Sequence, residues 1–370
     1  MRLRLSAATL LAALLLVPGV LARQSSPASV PASISDKEYW SLIESMSEPN
    51  GYFQSDNLVS NERMFQNLVP GLLARPHGGA YLGVAPDQNF TYILAVAPQI
   101  AFICDIRRGN LHEHMLYKAL FDLSKDRAEF LSRLFSRPRP KDAGPDTSVT
   151  SLFAAFAGET PDDTRFKENV KAVEDRLTKT HGFGLTPDDL QGIEYVYGMF
   201  KTYGPDLTYS SSNAMRRGGS FGGRGFGGRG MPTYGDLQTT TDFAGDNRAY
   251  LATEATFQAI KAFEAKNLLV PVVGDFAGTK ALRAIGAYLT EHHAVVNVFY
   301  TSNVEQYLFQ NGVAAQYYAN VATLPLDDNS AFIRSARGVD VIDPIQPFLK
   351  DLSDGKIRGY ADVTSRGAIR

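Results

Sequence analysis

The sequence predicts an α/β fold built on a mostly parallel sheet flanked by helices. Four short apolar runs, at residues 80–84, 100–106, 268–273 and 295–300, have the length and composition of buried strands. A segment with helical spacing of its apolar residues follows each run, and strands that alternate with helices in this way run parallel. Each run also turns polar where it ends, and the carboxyl ends of parallel strands are where open sheets bind ligands.

The first residues predict an export signal. Arg2 and Arg4 precede an apolar run over residues 7–17, and the small residues before Ala22 suit signal peptidase. Because the run is shorter than the roughly 20 residues of a spanning helix, a retained membrane anchor is the less favoured alternative. We expect cleavage of residues 1–22, a periplasmic or extracellular location, and no membrane span in the mature protein.

The remaining chain is expected to form one domain. Residues 23–34 are rich in Ser, Pro and Ala and predict a flexible tether, after which residues 35–370 form a single unit. Ser35 and Glu38 make a capping box before an aromatic-rich helix. A second helix is predicted from Ser60 through Leu68, ended by Pro70 and Gly71.

Charge and cysteine content limit the partners. The formal net charge is −2, and the signal would remove two Arg and no acidic residue, so neither nucleic acid nor an anionic membrane is an expected partner. Cys104 is the single cysteine, which excludes an intramolecular disulfide. The apolar residues around Cys104 predict a core position.

A helical insertion is predicted over about 110–209. It begins with an amphipathic helix over 111–135, and further helices are expected near 148–157, 162–179 and 187–201. This block interrupts the strand pattern, as an insertion or cap does.

A Gly/Arg-rich stretch, residues 210–230, predicts a disordered loop, because repeated Gly does not pack and four Arg stay solvated. Arg/Gly/Phe repeats can bind single-stranded nucleic acid, but we favour a mobile loop that could close over a site. Beyond it, helices are expected over 247–265, 278–290 and 304–309, and an edge strand over 331–333.

The stretch GGAYLGVAPDQNFTYI, residues 78–93, has features of a cofactor loop. Gly83 would allow a ligand to approach the backbone, and Asn89 would cap a helix whose N-terminus faces that ligand. Asp105 follows 22 residues after Gly83, at the end of the next strand, where an acidic side chain accepts hydrogen bonds from ribose hydroxyls. The alternative is a plain strand–turn–helix with an exposed aspartate.

The run from Gly83 to Asp87, followed by Asp105, resembles the cofactor-binding half of class I S-adenosylmethionine-dependent methyltransferases. The resemblance implies a Rossmann-like fold, S-adenosylmethionine as cofactor, and a catalytic strand end near Gly274 and Asp275. The pattern departs at Ala85, where a second glycine is usual. The implied cofactor-binding residues are Gly83, Pro86, Asp87, Asn89, Asp105 and Arg107.

Longer phrases, such as YLGVAPDQNFTYI, DIRRGNL, VVGDFAG and YTSNVEQYLF, are similar to an uncharacterised bacterial family with no assigned reaction. Together with export, which separates a protein from the cytoplasmic methyl donor, this leaves open a fold that has lost its cofactor.

Asp275, Asn303 and Glu305 follow the third and fourth strands and are candidates for acid–base chemistry or substrate hydrogen bonding. Two related phrases, Ser60-Asn61-Glu62 and Ser302-Asn303-Val304-Glu305, can also be explained as helix caps with first-turn acids.

No metal site is expected. His112-Glu113-His114 lacks the i, i+4 spacing that places two ligands on one helix face. His292-His293 ends a helix and is expected to contact its carbonyl groups.

The sequence therefore predicts binding of a small nucleoside-like or polar ligand at residues 83–89 and Asp105, with methyl transfer as the activity that the resemblance implies. One alternative is a non-enzymatic envelope protein that retains the fold without cofactor. Another is a hydrolase of envelope carbohydrate that uses carboxylates such as Asp275 and Glu305, whose separation a sequence does not give. The oligomeric state is left open.

Overall fold

A computed structural model describes residues 29–211, 231–336 and 339–366 of the chain. The predicted signal peptide (1–22) and residues 212–230 of the predicted loop lie outside the described residues. Part of the predicted tether is ordered, which corrects that prediction. Ile34 is buried, and its N–H donates to the Lys266 carbonyl oxygen at 2.9 Å, so the folded domain begins before Ser35.

Six strands form one sheet in the order β3-β2-β1-β4-β5-β6, with every neighbouring pair parallel except β5–β6. The predicted mostly parallel α/β architecture is confirmed. The chain moves outward from β1 to β3 and then returns to place β4 on the other side of β1. The strands are β1 (Ala80–Gly83), β2 (Ile100–Asp105), β3 (Leu269–Val273), β4 (Val296–Ser302), β5 (Ala331–Ala336) and β6 (Val339–Pro344).

The predicted strand near 331–333 is present, but it is not the edge strand of the sheet. These residues belong to β5, and β6, which the sequence did not predict, pairs antiparallel with β5 and forms the edge. Because two acidic residues interrupt β6 (VDVIDP), it lacks the continuous apolar run by which the other strands were recognised.

Helices cover both faces of the sheet. In one group, helix α10 (Glu254–Ala265) contacts both α3 (Gln88–Val96) and α4 (Arg108–Leu123). In the second group, α11 (Ala281–Glu291) contacts both α1 (Asp36–Met46) and α13 (Ala314–Val321). Right-handed crossovers place the two groups on opposite faces, because the chain moves in opposite directions from β1 and from β3. The helices are α1 (Asp36–Met46), α2 (Val69–Leu73), α3 (Gln88–Val96), α4 (Arg108–Leu123), α5 (Arg127–Leu134), α6 (Val149–Gly158), α7 (Asp163–Asp175), α8 (Pro187–Tyr203), α9 (Tyr234–Thr239), α10 (Glu254–Ala265), α11 (Ala281–Glu291), α12 (Val304–Gln310), α13 (Ala314–Val321), α14 (Ile345–Ser353) and α15 (Tyr360–Arg366).

Local side-chain chemistry explains several helix starts. Ser35 accepts the N–H of Glu38, which confirms the predicted cap of α1. Ser60 instead accepts the N–H of Glu62 in a tight turn, and the helical segment begins only at Phe65. Pro70 lies in the first turn of α2, where its missing N–H costs nothing, so the prediction that it ends a helix was wrong.

Two longer predicted helices are shorter in the structure. The amphipathic segment 111–135 divides into α4 and α5, because Asp126 accepts the N–H of Glu129 and starts a new helix. The segment 247–265 becomes helical only at Glu254, after a cap at Thr253.

The predicted insertion packs as part of the same domain. Its helices and the sheet share one hydrophobic core, joined through α4, which contacts α8 on one side and β3 on the other. Among the described residues, no helix is both long enough and apolar enough to cross a membrane.

Candidate functional site

A cavity of about 680 Å³ lies at the carboxyl ends of β1, β2, β3 and β4. This volume is typical of small-molecule sites. The cavity lies where the strand order reverses between β1 and β4, the position at which open α/β sheets bind ligands. The strand-end residues that line it are Val84, Ala85 and Pro86 after β1, Cys104, Asp105 and Ile106 at β2, Gly274, Asp275 and Phe276 after β3, and Tyr300 and Ser302 from β4.

Some predicted site residues meet in this cavity and others do not. Pro86, Asp105, Asp275 and Asn303 line it. Five predicted residues do not belong to its lining: Gly83, Asp87, Asn89, Arg107 and Glu305.

Asn89 holds the loop after β1 from behind. Its Oδ1 accepts the Tyr81 hydroxyl at 2.7 Å, and its Nδ2 donates to the carbonyl oxygens of Val84 (2.9 Å), Ala85 (3.3 Å) and Pro86 (2.7 Å). The prediction that Asn89 caps α3 was wrong, since α3 begins at Gln88 and the Asn89 side chain is fully buried. The loop that faces the cavity is therefore held in place by three hydrogen bonds from one buried side chain.

Gly83 is explained by this packing, which corrects its predicted role. A Cβ at position 83 would lie 2.0 Å from Asn89 Oδ1 and 2.8 Å from Tyr81 Cε1. The space above Gly83 is thus filled by Asn89 and leaves no room for a ligand. Two residues later Ala85 adopts a left-handed backbone (φ +67°), a conformation that glycine takes without strain.

Asp87 also faces the interior and not the cavity. It is buried, and one of its oxygens accepts the Gln238 amide at 3.0 Å. Burial raises the pKa of Asp87 to about 7. Asp87 therefore joins the loop to the segment around α9.

Asp105 is neither free nor exposed. Its Oδ1 accepts the backbone N–H of Arg107 at 2.9 Å and lies 3.3 Å from Arg107 Nε. Its Oδ2 has a weaker contact, 3.4 Å from Arg107 Nη2. Arg107 also donates to the carbonyl oxygen of Asp56. Asp105 thus sits in a fixed orientation at the cavity wall, and Oδ2 retains capacity to accept a further hydrogen bond.

The loop after β3 wraps around the half-buried carboxylate of Glu48. Glu48 accepts the backbone N–H groups of Asp275 (3.0 Å), Lys280 (2.9 Å) and Ala281 (3.0 Å). A Cβ at Gly278 would lie 2.6 Å from both Glu48 oxygens, so the loop fits closely around them. Glu48 therefore already occupies the anion-binding N–H groups of this loop.

Glu305 turns away from the cavity into a buried ion cluster, which corrects its predicted role as a catalytic residue. Its oxygens accept Arg334 Nε at 2.6 Å, Arg334 Nη2 at 3.0 Å and the Tyr318 hydroxyl at 2.8 Å. Arg334 also pairs with Asp343 of β6. Glu305 therefore contacts Arg334 of β5 and Tyr318 of α13 and does not face the cavity.

The sequence did not single out three residues at this place: Ser302 in the cavity wall, and two buried carboxyl residues near it, Glu62 and Asp340. Ser302 Oγ donates to Glu62 Oε1 at 2.5 Å. Glu62 Oε2 accepts Gln88 Nε2 at 2.7 Å and the Tyr300 hydroxyl at 2.9 Å. The two Ser-Asn phrases do converge, but through Ser302 and Glu62. The sequence phrase Ser60-Asn61-Glu62 could have pointed to Glu62 as a site residue. Its interpretation as a helix cap led away from that role.

Burial governs the charge of both carboxyl groups. Loss of hydration raises the pKa of Glu62 above its usual range. Burial, together with the neighbouring charge of Glu62, raises the pKa of Asp340 to about 8. Both residues line a second cavity of about 740 Å³, which shares Asn61, Asn303, Gln306 and Gln310 with the first.

The histidines have structural partners. His112 Nε2 lies 2.8 Å from Asp189, and buried His114 lies 3.2 Å from the Ala85 carbonyl oxygen. Within the described ranges, no group of three or more His, Cys, Asp or Glu side chains could hold a metal ion. His292 contacts the Tyr288 carbonyl oxygen at 2.8 Å, which confirms its predicted role, and Cys104 is a buried core residue as predicted.

A family model described as a domain of unknown function (DUF7790) matches residues 57–181 and 233–347. A search of curated proteins found no match. The matched ranges contain Asp105, Asp275, Ser302, Glu62 and Asp340, and so include the central residues of both cavities.

Proposed function

We propose that this chain, which belongs to the DUF7790 family, binds a nucleoside-like ligand without phosphate groups in the cavity at the carboxyl ends of β1–β4. S-adenosylmethionine is the ligand that the methyltransferase resemblance implies, with methyl transfer as the corresponding activity. The observation that carries the proposal is Asp105, fixed at the end of β2 in the cavity wall with one oxygen able to accept a ribose hydroxyl.

The strand order supports a Rossmann-like assignment. The series β3-β2-β1-β4-β5-β6 has the reversal between β1 and β4 that dinucleotide-binding sheets have, although β6 is antiparallel. In such sheets the acid at the end of the second strand accepts the ribose hydroxyls, which is where Asp105 lies.

The charge of the cavity favours a ligand without phosphate. Among its described lining residues, Asp105 and Asp275 are the charged ones, and neither Lys nor Arg is present. Arg107 lies 3.3 Å from Asp105 and offsets its charge, so Asp275 is the carboxylate that would repel a phosphate, whereas a neutral nucleoside or a sulfonium cation would not be repelled. The anion-binding N–H groups of the loop after β3 are already occupied by Glu48.

The rest of the wall suits a base and polar substituents. Tyr307 and Phe53 meet edge to face, with ring centroids 5.1 Å apart, and offer aromatic surface on which a base can stack. Asn57, Asn61 and Asn303 supply amide donors and acceptors.

Export remains part of the proposal. Residues 1–22 carry the predicted signal, and the methyl donor is made and held in the cytoplasm. An exported chain would therefore meet free nucleosides more readily than S-adenosylmethionine, and a non-enzymatic binding protein is the corresponding alternative.

Mass spectrometry of the protein recovered from the periplasm and medium would detect cleavage near Ala22, whereas an intact N-terminus would contradict export.

Calorimetric titration tests the binding proposal. The ligands are S-adenosylmethionine, S-adenosylhomocysteine, adenosine and adenosine monophosphate. We expect binding of at least one of the first three, with the monophosphate at least about 10-fold weaker, since about 1.4 kcal/mol of repulsion suffices for that factor.

The matched variants are Asp105→Asn, which removes the carboxylate, and Asp328→Asn, which changes an exposed aspartate before β5 at the opposite end of the sheet. Asp105→Asn should weaken binding about 10- to 100-fold, the effect of a hydrogen bond to a charged group, and Asp328→Asn should not. Absence of binding to all four ligands, or unchanged affinity in Asp105→Asn, would overturn the proposal.

A further inference from the structure

We propose that Ser302 and Glu62 form a nucleophile–base pair that cleaves acyl esters at the β4 end of the first cavity. The proposal concerns a chemical step and does not depend on a nucleoside being the ligand. It rests on a strained serine, a short hydrogen bond to a buried carboxylate, and two cavities that meet at this pair.

Ser302 is a half-buried serine with the backbone geometry of a strand-end nucleophile. It is the last residue of β4, has a left-handed backbone (φ +51°), and lies at a register shift between β4 and β5. A residue other than glycine in this conformation costs about 1–3 kcal/mol, a strain that concentrates at functional sites. Strand-to-helix turns of this kind present nucleophilic serines. Ser302 lies two residues before the start of α12 and lines the cavity.

Glu62 is placed to act as the general base. Its Oε1 accepts the Ser302 hydroxyl at 2.5 Å, while Gln88 and Tyr300 hold Oε2 at 2.7 and 2.9 Å. These contacts supply both features of an activated serine, a base in hydrogen-bond contact and groups that orient that base. Burial raises the pKa of Glu62, which makes its carboxylate a stronger base than an exposed one.

Asp340 and the second cavity complete the arrangement. Asp340 and Glu62 both line the second cavity, so Glu62 stands between the two cavities. This position gives the carboxyl pair access to solvent protons from one side while Ser302 faces the substrate on the other. Asn61 and Asn303, adjacent in sequence to Glu62 and Ser302, line both cavities and offer amide N–H groups for a developing oxyanion.

The reaction requires only water as co-reactant. Ser302 Oγ bonds to the ester carbonyl carbon as its proton passes to Glu62. The bond from that carbon to the leaving alcohol breaks, and the alcohol leaves with the proton from Glu62. Water then bonds to the acyl carbon and gives a proton to Glu62, which returns it to Ser302 Oγ as the acyl–serine bond breaks. The products are an acid and an alcohol.

The lining favours an ester over a phosphoester. No Lys or Arg is present among the described residues of the first cavity, and such cations stabilise a transferring phosphoryl group. An ester carbonyl is neutral in the ground state and can be stabilised by amide donors.

The experiment uses the full chain with two probes, p-nitrophenyl acetate as substrate and a fluorophosphonate as covalent label. We expect hydrolysis of the acetate and attachment of one label per chain, located by peptide mass spectrometry at Ser302. Ser302→Ala should abolish the label and lower hydrolysis at least about 100-fold, and Glu62→Gln should lower both rates about 100-fold, since a general base contributes 10²–10⁴-fold.

Ser136→Ala is the matched control, because Ser136 is also a serine with a left-handed backbone (φ +49°) and lies outside the lining of both cavities. It should retain labelling at Ser302.

If Glu62→Gln does not fold, Tyr300→Phe removes one contact to Glu62 and should lower the labelling rate. No label at Ser302, or hydrolysis at the original rate in Ser302→Ala, would overturn the proposal. Because nucleoside binding is measured by calorimetry, failure of one proposal is distinguishable from failure of the other.

Discussion

Substitution of Gly83 by alanine tests whether this glycine serves a ligand or the interior. A new Cβ would lie 2.0 Å from Asn89 Oδ1, far inside van der Waals contact, so the Asn89 side chain must move. Asn89 makes four hydrogen bonds to Tyr81 and to the loop after β1. Loss of two or three of them, at about 1 kcal/mol each, together with unpaired buried groups, predicts a destabilisation of about 3 kcal/mol.

The double variant Gly83→Ala/Asn89→Ala isolates the cause. Once the Asn89 side chain is gone, Tyr81 Cε1 at 2.8 Å remains of the three nearest atoms, and Gly83→Ala should add about 1 kcal/mol. The resulting coupling free energy is about 2 kcal/mol, well above the 0.3–0.5 kcal/mol scatter of independent sites. Gly109→Ala is the matched control, since nothing lies within 4 Å of its added Cβ and alanine favours a helix.

The assay is urea unfolding followed by circular dichroism, with the free energy of unfolding extrapolated to water for each variant. If Gly83→Ala loses less than about 1 kcal/mol, or if its cost is the same with and without Asn89, the packing explanation is refuted. Weakened ligand binding in an otherwise stable Gly83→Ala protein would return the glycine to the cofactor role that the sequence suggests.

Three further predictions follow from the buried groups. Glu305→Gln should destabilise the fold by about 3 kcal/mol, because it weakens a buried ion pair with Arg334. The same substitution should leave the nucleoside affinity measured by calorimetry unchanged. A loss of affinity without a loss of stability would contradict this prediction. Asp340 retains its proton in the folded state up to about pH 8 but loses it near pH 3.8 when unfolded, so stability should fall as pH rises between these values. Asp340→Asn should flatten that fall in thermal unfolding, and an unchanged slope would show that Asp340 is ionised in the native state. Cys104 should react with a thiol reagent at least about 100-fold more slowly in the native than in the denatured protein. The reason is that its side chain is buried and that burial raises the pKa of the thiol. Equal rates in the two states would contradict the core position of Cys104.

The sheet could be predicted from sequence because its inner strands are continuous apolar runs. β1, β2, β3 and β4 are buried along almost their whole length, and such strands differ sharply from the helices between them. β6 was missed because its acidic residues are buried by pairing, Asp343 with Arg334, which sequence pattern does not reveal. The break between α4 and α5 depends on one cap at Asp126 inside a continuous apolar periodicity.

The site was only partly predictable. The polar residues at strand ends identified Pro86, Asp105, Asp275 and Asn303, since strand ends are fixed by the topology. The sequence does not show in which direction a side chain at a strand end points. Asn89 and Glu305 lie at the right strand ends but point into the interior, where hydrogen bonds and an arginine fix them. Glu62 was overlooked because its partners are some 240 residues away in sequence, at Tyr300 and Ser302.

The half-buried carboxylate of Glu48 decides where this protein can be shortened. A recombinant chain starting at residue 57, where the family match begins, would lack Glu48 and leave the N–H groups of Asp275, Lys280 and Ala281 without their acceptor. Such a truncation would remove α1 and also loosen the loop after β3, one wall of the cavity. The smallest soluble fragment should therefore start before Ile34, and a protease cut between α1 and residue 51 should disturb the ligand site from a distance.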